Sequence, residues 1–320
     1  MPGPLSSQVH VDTLLTDVSI GYVQSAENFI ARKGAPVRGV DKSSDKYPVW
    51  GAADFLRMQT KSVGDRTPAP EASYSMSNDT YVCDYWPLKH LIPDKTRKNA
   101  DVDIEKATVK FLTQQILMRR DYQYLSTLFN TANWTYYTGT AGGAEFIDFS
   151  DSNSTPFKTV RGYKRTVQQA IGGFMPNTIV VGPEVDDILK EHDDTLDKIK
   201  YTGQGIATNE MLAAAFGVKN YLVGEAVYNT AAAGQTATLS NMGGDYMWIG
   251  YVAEEPSEFN PSALYTFSLK DYDDQGEGGA LIKRWREDDP EGEWLKAESA
   301  FDIKITSSTA GVLLVDAATD

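Results

Sequence analysis

Residues 174–230 constrain the fold more than any other part of this 320-residue chain. The stretch FMPNTIVVGPEVDDILKEHDDTLDKIKYTGQGIATNEMLAAAFGVKNYLVGEAVYNT reads as strand, helix, linker, helix and strand. Thr178 to Val181 is a short β-branched apolar run, the signature of a buried strand. Gly182 and Pro183 start a helix, because the N–H that proline lacks has no partner in a first turn anyway. Val185, Ile188, Leu189 and Leu196 follow at helical spacing. Thr208 caps a second helix carrying Met211, Leu212, Ala215 and Phe216, and Gly217 stops it. Tyr221 to Val223 return as a strand. No G-x-G-x-x-G follows the first strand and no G-K-[ST] occurs anywhere, so this α/β unit lacks a phosphate cradle.

Charge divides the chain. Residues 1–175 hold 20 Lys/Arg and 18 Asp/Glu, whereas residues 176–320 hold 10 and 26. A surface that replaces phosphate counterions must be basic, so tight nucleic-acid binding by the second half is excluded. The asymmetry fits ordinary solubility. It also fits a head-to-tail meeting of the two halves between neighbouring copies. The apolar runs fall short of a membrane span, and no membrane partner is expected.

Ahead of the α/β unit, residues 1–33 read as an extended arm. Residues 34–79 carry Gly34, Pro36, Gly39, Pro48, Gly51, Gly64, Pro68 and Pro70, yet keep Tyr47, Val49, Trp50, Phe55 and Leu56. A loop this long in a compact domain is usually functional. It reads as a long projecting hairpin whose aromatics need a partner surface. An ordinary meander on the chain's own core is the alternative. Tyr81 to Ile92 alternates as a strand. Asp101 to Asn130 is the strongest helix, with Ile104, Ala107, Phe111, Met118, Tyr122, Leu125 and Phe129 recurring at its period. Strands are expected at 246–253, 263–269, 280–286, 293–297, 300–306 and 311–315.

Chemistry-bearing groupings are weak. His192, in Glu191-His192-Asp193-Asp194, reads as a solvated helix end, since no second histidine lies near it in sequence. The segment DYDDQGEGG matches a calcium loop at Asp271, Asp273 and Gly276 but has Ile282 where a bidentate Glu is needed, so it reads as an acidic turn. Cys83 has no Lys, Arg or His beside it and reads as a buried structural thiol. No catalytic residue, cofactor or metal is indicated. The residues alone leave an α/β enzyme with a dispersed site open.

The ordered set of segments resembles the major capsid proteins of tailed phages, with the Johnson or Hong Kong 97-type fold. The resemblance runs over nearly the whole chain. DKYPVWGAADFLRMQTKSVGDRTPAP is similar to the family's extended loop and Ala100–Asn130 to its spine helix. FMPNTIVVGPEVDDILKEHDDTLDKIKY with EMLAAAFGVKNYLVGEAVYN is similar to its axial-domain core, MWIGYVAEEPSEFNPSALYTFSL to later axial strands, and FDIKITSSTAGVLLVDA to closing peripheral strands. The implied fold is mixed α+β, in five segments: a 1–33 N-terminal arm, a 34–79 extended loop, an 80–173 peripheral domain with spine helix 101–130, a 174–290 axial domain, and closing peripheral strands at 291–320. The implied function is self-assembly into hexamers and pentamers that close an icosahedral head around viral DNA. That DNA is enclosed without sequence-specific binding. The protein is expected in the virion, after assembly in the host cytoplasm.

Scaffolding protein and portal are implied partners, with the scaffold separate or supplied by a processed leader. Another phage structural protein, of the decoration or tail kind, is the alternative within this resemblance. Inter-subunit contacts are expected at Tyr47, Trp50, Phe55, Arg57, Lys61 and Arg66 on the loop. They are also expected at Gly203, Gln204 and Gly205, a flexible link near the capsomer centre.

Overall fold

The computed structural model describes residues 24–50, 52–100, 103–138, 148–151, 153–200, 207–232, 234–256, 261–272 and 280–318. In chain order the first elements are α1 (Ala31–Gly34), β1 (Val37–Val40), β2 (Ser44–Trp50), α2 (Ala52–Phe55), β3 (Met76–Val82), β4 (Asp84–Pro93), α3 (Asp94–Lys98), α4 (Ile104–Leu128) and β5 (Thr135–Thr138). Then come α5 (Pro156–Ala170), β6 (Thr178–Val181), α6 (Pro183–Glu191), α7 (Asp193–Ile199), α8 (Asn209–Phe216) and β7 (Asn220–Val223). The chain continues through β8 (Val227–Asn229), β9 (Leu239–Asn241), β10 (Met247–Gly250), β11 (Leu264–Leu269), β12 (Leu281–Asp288), β13 (Glu291–Ile305) and β14 (Gly311–Val315).

Two five-stranded sheets organise these elements. The first has the order β1-β11-β13-β12, with β4 also paired to β13. The long helix α4 lies on it. Leu112 and Ile116 of α4 pack on Ile92, Leu295 and Ala297 of β4 and β13. The Asp103 side chain accepts the Lys106 N–H and starts α4, satisfying one of the helix's free amides.

The second sheet runs β5-β14-β10-β6-β7. Pairs β5–β14 and β6–β7 are parallel, and β10 is antiparallel to both β14 and β6. Every residue of β6 and β10 is buried, as a strand covered on both faces must be. Trp248 fills the centre, edge-on to Trp134 at 5.4 Å. Its ring needs neighbours without side chains: a Cβ on Gly250 would lie 2.3 Å from it, and one on Gly311 would lie 2.5 Å away. Lys164 of α5 donates to the carbonyls of Phe216 (2.9 Å) and Gly217 (2.7 Å). Those carbonyls end α8, where Gly217 turns left-handed at φ 64°, so a cation meets the negative end of a helix.

The helix, strand and cap positions of the α/β unit follow the sequence pattern, with Thr208 accepting the Met211 N–H. Three elements differ in extent. The helix expected through Leu196 breaks at His192, whose backbone is extended and whose ring caps α7. The strand at 81–92 is interrupted at Cys83. The stretches 293–297 and 300–306 form one strand, β13. The contiguous segments also interleave. β11 and β12, expected within an axial domain, pair with β13, while β14, expected to close the peripheral domain, joins β10 and β5. Sequence periodicity reports which face of a strand is buried, not which distant strand it pairs with. Residues 1–23, Gly203, Gln204, Gly205 and 273–279 lie outside the described residues.

Candidate functional site

Strands β2 and β3 form an antiparallel hairpin with register from Ser44 opposite Val82 to Trp50 opposite Met76. It is a separate two-stranded sheet. That makes Pro48 tolerable, since a proline is excluded only where a ladder needs its N–H. Beyond β2, α2 and the following loop are tied across to the segment that leads into β3. Asp54 accepts the Ser75 N–H at 2.9 Å and its hydroxyl at 2.5 Å, and these bonds hold its carboxyl below the ordinary range. The Gln59 carboxamide exchanges two 3.0 Å hydrogen bonds with Ser73. The loop therefore has a defined shape although nearly all of it is exposed.

Its aromatics divide into two groups. Tyr47 faces inward, 5.4 Å from Phe267, and donates its hydroxyl to Asp79 at 2.9 Å. Tyr81 stacks on the same Phe267 at 4.5 Å. These residues anchor the hairpin to its own body, so Tyr47 is engaged within the chain. At the far end Trp50, Phe55 and Tyr74 form a triangle with centroids 5.7–6.0 Å apart. Phe55 remains 58% exposed, Tyr74 67% and Met58 90%. A cavity of about 630 Å³ lies between hairpin and body, with Trp50, Phe55 and Leu56 on one side and Ile171, Phe174 and Tyr265 on the other.

Arg57, Lys61 and Arg66 are exposed on the same loop. Arg57 acts on the Asp54 carboxylate; Lys61 and Arg66 make no ion pair among the described residues. The hairpin root is pinned by Asp302 of β13, which accepts the Val82 N–H at 3.1 Å. Burial pushes the adjacent Cys83 thiol up to about 11, which makes it unreactive. No sequence signal identified Asp302 or the Phe267 platform, because both belong to strands more than 180 residues downstream of the hairpin.

Ser154 and His192 lie 2.9 Å apart, and both are buried. His192 Nδ1 accepts the Asp194 N–H at 3.1 Å. The neutral ring's proton is thereby placed on Nε2, where it donates to serine and cannot accept the serine proton. His192 is a buried cap, not a solvated helix end. Among the described residues no group of three or more His, Cys, Asp and Glu is placed to hold a metal. No described helix is long and apolar enough to cross a membrane.

No family model matches the chain. It is 26% identical over 318 residues to the major capsid protein of Burkholderia phage BcepMu, covering 98% of each. Among solved structures it resembles a phage-related protein of Bordetella bronchiseptica RB50, with TM-score 0.70 and 20% identity over 97% of this chain and 98% of that one. The mature capsid subunit of bacteriophage PhiM1 aligns with TM-score 0.61 and 13% identity over 96% and 91%. The capsid of cyanophage P-SCSP1u aligns with TM-score 0.59 and 12% identity over 99% and 96%. This chain has the mixed α+β, Hong Kong 97-type fold of tailed-phage major capsid proteins.

Proposed function

We propose that the chain is the major capsid protein of a tailed-phage head, a subunit that assembles with its own copies into the shell. The observation that carries this reading is the agreement over nearly the full length, N-terminal hairpin included, with capsid subunits. In this reading the first sheet with α4 is the peripheral domain and the second sheet the axial domain. The subunits form hexamers and pentamers, with a scaffolding protein and a portal as assembly partners, and enclose DNA without reading its sequence.

The hairpin carries the inter-subunit contacts. Phe55 and Tyr74, in ring contact and both exposed, with exposed Met58 on the same loop, give the hairpin an apolar tip, and exposed apolar surface of this kind marks protein contacts. Trp50 supports that tip from within the triangle. Arg57, Lys61 and Arg66 bring positive charge that an acidic neighbour would steer and register. The turn between β12 and β13 offers such a surface, since Glu287, Asp288, Asp289 and Glu291 are all exposed. Co-expression with the scaffold, followed by sedimentation and electron microscopy, tests the assignment. Closed shells or rings of five and six are expected. A monodisperse monomer at all concentrations, with and without scaffold, would refute it.

A further inference from the structure

Asp121 of α4 is 0% exposed. Its Oδ1 accepts the Ala31 N–H at 2.7 Å, and its Oδ2 has no hydrogen-bond partner among the described residues. Ala31 belongs to the stretch that seats residues 24–35 on the long helix. Gly34 sits so close to Tyr124 that a Cβ there would fall 2.0 Å from the phenol oxygen. The Thr266 hydroxyl donates to the Ala35 carbonyl at 3.3 Å. Upstream, the Gln24 carboxamide exchanges hydrogen bonds of 2.6 and 3.1 Å with the backbone of Val227. The joint is thus a packed seam with a carboxyl at its centre.

A buried carboxylate is costly unless a cation pairs with it. The charged and titratable groups on the elements against α4 are directed elsewhere. Arg120 donates to the Ser299 hydroxyl at 3.2 Å and lies 4.7 Å over the Phe301 ring. Glu298 of β13 is taken by Lys283 and Lys296, and Lys89 of β4 lies over Trp294. On α1, Arg32 is partly exposed and Lys33 exposed. The Tyr124 hydroxyl is buried, which pushes its pKa up.

We propose that Asp121 is a proton-controlled latch between residues 24–35 and α4, closed when its carboxyl is neutral and poised to open when it ionises. A neutral carboxyl keeps its carbonyl oxygen as acceptor for Ala31 and carries no buried charge. Burial raises its pKa from 3.8 to about 7, against the opposing pull of the Ala31 and Ile30 amides. The folded value lies above the unfolded one. The seam is therefore tightest below pH 3.8, loosens as pH rises toward 7, and changes little beyond. Opening would let water reach the carboxylate and bare part of the apolar face formed by Tyr124, Leu125 and Leu128.

Hydrogen exchange of the unassembled full-length subunit tests the latch independently of the capsid assignment. After correction for intrinsic rates, exchange at Ile30 and Ala31 is expected to rise about fiftyfold from pH 5 to 7.5, because opening gains roughly tenfold per pH step between the two pKa values. In Asp121→Asn, which keeps the acceptor and removes the charge, exchange should stay slow and independent of pH. A flat wild-type profile, or a variant that keeps the wild-type slope, would overturn the proposal. Should the variant not fold, a carbon-13 titration of the Asp121 carboxyl in the wild-type chain decides: a midpoint near 7 supports the latch and one near 4 refutes it.

Discussion

In the sheet built on β10, every residue of β6 and β10 is buried, whereas in the β2–β3 hairpin Tyr81 alone is. The two regions hold similar kinds of side chain and place them differently. Trp248 is 0% exposed, clasped by two glycines and Trp134. Trp50 leans on Phe55 and Tyr74, which are themselves mostly exposed. The first region completes its core within one chain. The second leaves apolar surface uncovered, which a second subunit would complete. A thin shell needs both: a body that folds alone, and a limb whose burial is deferred until assembly.

The largest effect is expected from Trp248→Ala. Truncating a fully buried tryptophan leaves a large cavity and should cost about 3–5 kcal/mol. Denaturant unfolding of the isolated chain should show most of its stability lost. A cost near that of a surface change would mean that the sheet is not the self-sufficient core described above.

Reversing Arg57, Lys61 and Arg66 together to Glu should have the opposite profile. None of the three supports the fold, so the unfolding midpoint should hardly move. Each exposed pair is worth only about 0–1 kcal/mol, but the contacts recur around a ring and reversal adds repulsion. Light scattering at low salt should show assembly blocked. In the wild type, 1 M salt should slow assembly, since the screening length falls to about 3 Å. Normal assembly of the triple variant at low salt would remove charge from the account while leaving the apolar tip in place.

Most of the self-sufficient region was legible in the sequence. Pro183, Thr208 and Gly217 sit at the helix ends their chemistry favours. The period from Ile104 onward marks the extent of α4 but not its inner face: Phe111 and Tyr122 are exposed, and Leu112, Ile116, Tyr124 and Leu128 are buried instead. Much of the hairpin was legible as a long limb with stranded aromatics. What stayed hidden are the pairings that cross the chain. Phe267 beneath Tyr47, Asp302 under Val82 and Asp121 against Ala31 join residues far apart in sequence. A polar residue in a helical repeat reads as solvent-facing until the packed partner is known. His192 misled for the same reason: its neighbours Glu191 and Asp193 are acidic, yet its ring is turned inward to Ser154.

A smaller, pH-dependent effect belongs to the sheet of β12 and β13, on which the hairpin root rests. Burial alone would raise the Glu298 carboxyl, but Lys283 and Lys296 together hold it below its ordinary 4.5. The folded value is the lower one, so its contribution is full above pH 4.5 and is lost as pH falls through the folded pKa. Glu298→Gln should flatten that part of the acid-unfolding profile and lower stability at pH 7 by about 1.5–3 kcal/mol, as for a hydrogen bond to a charged group. An unchanged acid profile would show that these lysines remain solvated in solution.

The smallest expected change in the isolated chain comes from Trp50→Ala. Its ring contacts are worth about 1 kcal/mol at most beyond surface burial, because both partners stay largely open to water. Unfolding by denaturant should therefore differ little from wild type, in contrast to the Trp248 variant. Assembly is where Trp50 should matter. Removing it leaves Phe55 and Tyr74 without the ring that sets their spacing, and the tip loses its shape just where a neighbour would cover it. The critical concentration for assembly, read by sedimentation, should rise several-fold while the monomer's melting curve stays put. If the variant instead loses several kcal/mol of monomer stability and assembles normally when folded, the hairpin is part of the chain's own core. The division between a finished body and an unfinished limb then fails.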